Sequence, residues 1–263
     1  MTTILDRIIE QKKQELALLQ NQSVFYPAID REKRSLLDKL QKSQQISIIA
    51  EFKRASPSKG MINNGVEPAV QASIYEQSGA SAISVLTDQT FFKGSFEDLI
   101  AVRETVQLPI LCKDFIIDPL QINNACAHGA DIILLIVAAL EEKKLTELYQ
   151  YATNLGLEVL VEVHNQAELE TALKTGAKLI GVNNRDLKTF QVSLEVTEKL
   201  AAAVKQSGAF LISESGLHSQ EDVNRVRNAG ANGILVGEAF MKSANLKKTF
   251  SDFQLPLIEG ARP

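Results

Sequence analysis

Between residues 46 and 253 a short apolar run, a loop and an amphipathic stretch follow one another eight times, and this alternation restricts the fold more than any other feature. The apolar runs 46–53, 81–87, 109–115, 131–137, 157–163, 178–183, 209–214 and 233–238 predict strands. Helical patterns lie near 67–78, 96–106, 118–128, 141–155, 165–175, 193–206, 218–229 and 244–253. Gly79-Ala80, Gly129-Ala130, Gly176-Ala177, Gly208-Ala209 and Gly230-Ala231 each end a helix just before a strand, where a left-handed residue commonly stops a helix. Strand and helix alternating eight times is the count of a closed parallel (β/α)₈ TIM barrel of the α/β class. An open doubly wound sheet is the alternative, but no GxGxxG follows the first strand.

Two helical patterns precede the first strand. Over residues 3–20, Ile4, Ile8, Ile9, Leu16 and Leu19 recur at near-helical spacing, and Thr3 with Asp6 resembles a capping box. After a break at Tyr26-Pro27, Asp30 is placed to cap a second helix with Leu36, Leu37 and Leu40 on its apolar side. The expected division is a helical extension over 1–45 and one barrel domain over 46–263. All eight strands lie downstream of the extension, so its removal is expected to leave a folded barrel.

A chain of 263 residues is within the usual size of a single-domain barrel. A net charge of −4 excludes the broad basic face that nucleic acid requires, so an anionic substrate must be met by locally placed cations. Cys112 and Cys126 form neither a metal-ligand spacing nor a disulfide framework, and His128, His164 and His218 are scattered. No metal is expected. Asp6 and Glu10 interrupt the apolar pattern of the N-terminus, and no apolar run reaches a membrane-spanning length, which predicts a soluble, cytoplasmic protein with no membrane partner.

Chemistry in such a barrel collects at the C-terminal ends of the strands. Period-two alternation puts Ile49, Glu51 and Lys53 on one face of the first strand and Ile48, Ala50 and Phe52 on the other. Likewise Lys113 shares a face with Leu111 and Phe115, and Glu158, Leu160 and Glu162 face inward from the fifth strand. Gly181, Asn183 and Arg185 follow one face of the sixth strand, and Glu214 aligns with Phe210 and Ile212 on the seventh. The inward set at the catalytic end, Glu51, Lys53, Lys113, Glu162, Asn183, Arg185 and Glu214, holds three acids and three bases, costly to bury unless they pair or face a wet cleft. A lysine beside a second cation is expected to lose some proton affinity there, and a carboxylate to gain some.

An anion site is expected where Ser56-Pro57-Ser58-Lys59-Gly60 supplies hydroxyls, amides and a cation. The loops Ser213-Glu214-Ser215-Gly216-Leu217 and Val236-Gly237-Glu238-Ala239 follow the seventh and eighth strands, where barrels often bind phosphate through backbone N–H groups. Phe91 and Phe92 are placed either to cover an aromatic ring or to anchor a lid. His164 reads as a helix-capping or surface residue, and Cys112 as packing.

The segments EFKRASPSKG, SVLTDQTFFKGS, KDFIIDP, LLIVAAL, VEVHN, GVNNRDL, SESG and LVGEAFM resemble, in order and spacing, those of the indole-3-glycerol-phosphate synthase family of tryptophan biosynthesis. Cys112 departs from the arginine common among relatives. The resemblance implies closure of 1-(2-carboxyphenylamino)-1-deoxyribulose 5-phosphate to indole-3-glycerol phosphate, with loss of CO₂ and water and no cofactor. It implies Lys113 as general acid on the ketose oxygen, Lys53 as holder of the departing carboxylate and acid in dehydration, and Glu162 as base. Glu51, Asn183, Glu214 and Ser215 would orient the lysines and the sugar. Ser56, Gly216, Gly237 and Glu238 would bind phosphate, and Pro57, Ser58, Phe92, Phe115, Arg185 and Leu187 would complete the substrate site. A monomer whose partner is one small phosphorylated molecule is implied. The rival readings are a phosphoribosylanthranilate isomerase-like enzyme working through a Cys and Asp pair, a Schiff-base aldolase using Lys53 or Lys113, and a non-catalytic phosphometabolite-binding barrel.

Overall fold

In the computed structural model, which describes residues 3–21, 33–62, 65–260 and 262, strand alternation sorts the apolar side chains into two layers. Ile49, Leu111, Leu134, Leu160, Ile212 and Leu235 pack together inside the barrel. Ile48, Val85, Cys112, Val161, Val182 and Ile234 face outward into the layer shared with the helices. The strands are β1 (Ser47–Phe52), β2 (Ala82–Leu86), β3 (Ile110–Lys113), β4 (Ile132–Ile136), β5 (Glu158–Val163), β6 (Leu179–Asn183), β7 (Phe210–Glu214) and β8 (Gly233–Val236). Each runs parallel to its neighbours, and β1 closes the barrel on β8 from Ser47 opposite Gly233 to Ala50 opposite Val236.

Every predicted strand and barrel helix is present, shortened by at most two residues at an end where the run passes into a cap or turn. The Gly-Ala punctuation acts as expected: Gly230, at φ 113°, ends the helix Gln220–Ala229 while its N–H bonds the Arg227 carbonyl. Some short elements, among them the 3-10 turn Val137–Ala139, have no counterpart in the sequence reading because they are too brief to show a period. The others are the hairpin Ala55–Ser56 with Gly60–Met61 and the single turns Gln89–Phe92 and Glu238–Met241.

The two N-terminal helices are α1 (Ile4–Asn21) and α2 (Leu36–Lys42). Thr3 and Asp6 form the reciprocal cap on α1, with Thr3 N–H donating to Asp6 at 2.8 Å and Asp6 N–H to Thr3 Oγ1 at 3.1 Å. The cap of α2 is Ser35, whose hydroxyl accepts from Asp38 N–H at 2.9 Å; Asp30 and Tyr26-Pro27 lie outside the described residues. The helices attach differently. Leu36 and Leu40 are each 1% exposed and belong to the inner layer, so α2 is the floor of the barrel. Gly233 is needed by the strands beside it, since a Cβ there would lie 2.8 Å from Ile212 Cδ1 and 3.0 Å from the Ser47 carbonyl oxygen, while Leu40 Cδ2 would be in ordinary contact at 3.5 Å. Glu158, at the lower end of β5, accepts from Leu36 N–H at 3.0 Å and Ser35 Oγ at 2.5 Å. The other helix, α1, crosses the opposite end, where Ile4, Leu5 and Ile8 line the mouth. Among the described residues no helix is long and apolar enough to cross a membrane.

Candidate active site

The alternation that lines the barrel with leucine and isoleucine delivers charged groups at the upper end of the same faces. Glu51 on β1 pairs through Oε1 with Lys53 and through Oε2 with Lys113 Nζ at 3.5 Å. Lys113 Nζ also lies 2.6 Å from Glu214 Oε2 on β7. Asn183 Nδ2 donates to Glu162 Oε1 at 3.1 Å, and Asn183 is itself oriented by Arg185 N–H, 3.0 Å from its Oδ1. Gly181 makes space for the ring, because a Cβ there would sit 2.2 Å from Glu214 Oε1. Gly237 does the same beside Glu51, whose Oε1 would be 2.5 Å from an added Cβ.

Proton affinities diverge within this ring. Burial raises Glu51, but Lys53 and Lys113 outweigh it and hold the carboxyl below its usual range. Glu214 moves the other way, up to about 7, because burial and the nearby Glu162 and Glu51 exceed the pull of Lys113. Lys113 departs from the expected loss of proton affinity. Burial lowers it, yet Glu214, Glu51 and Glu162 together raise it, since three carboxylates surround this ammonium. Lys113 is therefore charged at neutrality, with a neighbour that titrates there.

His164 is neither a surface residue nor the helix cap, which is Asn165. Its Nε2 lies 3.3 Å from Glu162 Oε1 and its Nδ1 2.9 Å from Glu168 Oε2. Burial opposes its charge, but the two carboxylates raise it to about 10. It is in turn foremost among the groups, with Lys113 and Asn183, that hold Glu162 down to about 2 against burial. The signal was present, for 162 and 164 share strand parity. Asn184 was also missed. Its Nδ2 donates to the carbonyls of Glu214 at 2.9 Å and Ser215 at 3.1 Å, pinning Ser215 at φ 66° just before Gly216 at φ 82°. An outward residue fixing a neighbouring strand end leaves no trace in periodicity.

The other predicted residues line the same cavity. At one side are Ser56, Pro57 and Ser58 from the first loop, with Ser215, Gly216, Gly237 and Glu238 from the last two. Ser56 and Ser58 hydroxyls are 3.5 Å apart. The Glu238 carboxylate is taken by Lys242 at 2.8 Å and Lys59 at 3.5 Å. Phe92 and Phe115 line the cavity as a tilted pair in contact, ring centroids 5.8 Å apart, and Arg185 and Leu187 line it from the loop after β6. Phe91 does not line the cavity. Cys112 is buried in the outer layer, its thiol pushed up to about 12 by burial, which removes the Cys and Asp pair that an isomerase would need.

The family model of indole-3-glycerol phosphate synthase matches residues 5–253. An indole-3-glycerol phosphate synthase of Bacillus cereus (strain G9842) is 54% identical over 253 residues, covering 96% of this chain and 98% of that protein. Another, of Bacillus thuringiensis subsp. konkukian (strain 97-27), is 53% identical with the same coverage. Among solved structures, thiamine phosphate pyrophosphorylase from Pyrococcus furiosus has a TM-score of 0.60 at 20% identity, covering 83% of this chain and 96% of that one. KGPDC from Streptococcus mutans gives 0.61 at 12% identity, covering 80% and 96%. The likeness to these two is one of fold alone.

Proposed function

The chain belongs to the indole-3-glycerol phosphate synthase family, and from that premise we propose how its charged barrel mouth divides the work of closing an indole ring. The enzyme is a lyase of tryptophan biosynthesis that converts 1-(2-carboxyphenylamino)-1-deoxyribulose 5-phosphate to indole-3-glycerol phosphate, releasing CO₂ and water. The observation that carries the assignment of roles is the placement of Lys113 Nζ between Glu214 Oε2 at 2.6 Å and Glu51 Oε2 at 3.5 Å.

Lys113 enters the reaction protonated and gives its proton to the ketose oxygen as the ring carbon attacks the carbonyl. Glu214 then restores that proton, being in contact with the amine and close to neutrality in affinity. Lys53 holds the benzoate carboxylate until CO₂ leaves and aromaticity returns. In the dehydration that follows, Lys53 protonates the departing hydroxyl and Glu162, kept as carboxylate by His164, takes the proton lost from the new ring. Glu51 spaces the two lysines, Asn183 orients Glu162, and Ser215 contacts the sugar. Ser56, Ser58 and the backbones of Gly216, Gly237 and Glu238 hold the phosphate, while Phe92, Phe115, Pro57 and Leu187 enclose the aromatic ring beside Arg185. Purified protein mixed with the carboxyphenylamino sugar phosphate should develop indole absorbance, and single-residue variants then test each role.

Two outcomes follow for the assay. Inorganic phosphate at tens of millimolar, a range suited to a weak anion site, should compete with substrate and raise KM while leaving kcat alone; an unchanged saturation curve would displace the phosphate site from these loops. His164→Gln should act through protonation. Without the imidazolium, burial raises Glu162, so the acid limb of kcat/KM should move to higher pH by roughly one to two units, the size of effect a lost counter-charge produces. An acid limb that stays in place would remove Glu162 as the base or His164 as its partner.

A further inference from the structure

The most deeply buried ammonium of α1 has no role in the chemistry above. Lys12 is 3% exposed, and its Nζ lies 2.9 Å from each of three carboxylates, Glu15 Oε2, Asp88 Oδ2 and Asp114 Oδ1. Asp88 and Asp114 follow the ends of the adjacent strands β2 and β3 and are themselves buried, 0% and 6% exposed. Side by side without a cation they would repel each other in a poorly solvated site. Burial works against the charge on Lys12, but Asp114 and Asp88 outweigh it and raise its proton affinity.

Both aspartates act on the backbone of the aromatic wall. Asp88 Oδ1 accepts from Phe91 N–H at 2.6 Å and Phe92 N–H at 3.1 Å, capping the single turn Gln89–Phe92. Asp114 Oδ1 accepts from Phe115 N–H at 2.7 Å, and its Oδ2 accepts from Thr87 Oγ1 at 2.6 Å. One ammonium thus joins the two carboxylates that fix the chain at Phe92 and at Phe115, two rings that touch, tilted by 34° with centroids 5.8 Å apart, and that both line the cavity.

We infer that Lys12 is a positioning residue for substrate binding, a cation carried by the N-terminal helix that sets how Phe92 and Phe115 sit against each other and so shapes the wall on which the aromatic ring of the substrate packs. The inference rests on the proposed reading that these phenylalanines enclose that ring. Lys113, next to Asp114 in the chain, is held separately by Glu214 and Glu51. Loss of Lys12 therefore falls on ring binding before it falls on proton transfer.

The test compares a ring probe with a phosphate probe. Anthranilate binding is read from the fluorescence of the ligand, in a chain with no tryptophan to interfere, and inorganic phosphate is read as an inhibitor of turnover. In Lys12→Met, and to a smaller extent in Lys12→Gln, KM and the anthranilate Kd should rise about tenfold, the scale of a misfitted apolar slot. The phosphate inhibition constant should stay within about twofold and kcat within about threefold, the signature of lost ground-state binding. Lys12→Arg, whose fork reaches two carboxylates at once, should bind anthranilate nearly as the native protein does. Circular dichroism melts identify which variants are folded at the assay temperature, and Lys12→Gln carries the test if Lys12→Met is not. Unchanged ring affinity in a folded variant overturns the proposal. So does a parallel fall in ring and phosphate affinity, which would mark general loosening of the barrel mouth. Phe92→Ala separates the proposal from its premise: if that variant keeps full anthranilate affinity, the ring is not enclosed by this wall and the role of Lys12 falls with it. If Phe92→Ala loses affinity while the Lys12 variants do not, only the role of Lys12 fails.

Discussion

Lys113→Met should lower kcat by at least two orders of magnitude with little change in KM, whereas Arg185→Met should raise KM more than it lowers kcat. A proton given to the ketose oxygen only as the ring closes is an interaction of the transition state, and its loss appears in kcat. General acid catalysis is typically worth about 10²- to 10⁴-fold. Arg185 lines the cavity from the loop after β6, with a guanidinium N–H 3.3 Å from the Phe190 carbonyl, and in the proposed reading it meets the bound anion in the ground state. Methionine keeps the length and apolar stem of either side chain, so the core is not emptied. Removing the Lys113 ammonium leaves Glu214 without its 2.6 Å partner, but Glu214 already titrates near 7 and takes up a proton rather than stand as an unpaired buried charge. The fold therefore tolerates the change, and thermal melts check it. A Lys113→Met enzyme that retains more than about a tenth of native kcat would be inconsistent with a general acid at this position and would pass the role to Lys53.

The positions of these groups were legible because a strand has a period of two. Once Ile49, Leu111, Leu160 and Ile212 are read as inward, Glu51, Lys113, Glu162 and Glu214 must share their faces, and in the structure all four line one cavity. His164 was legible by the same rule, but the residue after a strand so often caps the next helix that its ring drew no role; the cap is Asn165, whose Oδ1 accepts from Glu168 N–H at 3.0 Å, and His164 N–H donates to Glu168 at 2.8 Å. Lys12 left a weaker mark. It stands four residues from both Ile8 and Leu16, in the middle of the buried stripe of α1, where a lysine persists only with partners. Nothing in the sequence says that the partners are Asp88 and Asp114, since that pairing depends on how a helix crosses a finished barrel. Proton affinity was the least legible quantity. Counting lysines near Lys113 suggested a weakened hold on its proton, but the sum over Glu214, Glu51 and Glu162 reverses the sign.

Two shortened chains should separate the parts of the N-terminal region by a large difference in stability. A chain beginning at Lys33 keeps Ser35 and all of α2; it should fold cooperatively, at a lower Tm, because Asp88 and Asp114 lose Lys12. A chain beginning at Ile46 also loses Leu36 and Leu40, which are wholly inside the barrel floor among Ile49, Leu179 and Phe210. Emptying two buried leucine sites costs about 4 to 10 kcal/mol, from the range of roughly 2 to 5 for each. Folded domains have only about 5 to 15 kcal/mol in all. Glu158 loses its cap partners as well, and its carboxyl, already raised by burial, is left at an open floor. The barrel cut at 46 should therefore melt more than about 10 °C below the one cut at 33, at roughly 2 to 4 °C per kcal/mol for a chain of this size, or show no cooperative transition. That result would put the boundary that matters for folding before α2, whose Leu36 and Leu40 complete the inner layer. Melts of the two proteins by circular dichroism that coincide within about 2 °C, less than 1 kcal/mol at this size, would show that the floor is dispensable and that residues 1–45 are a separable extension after all.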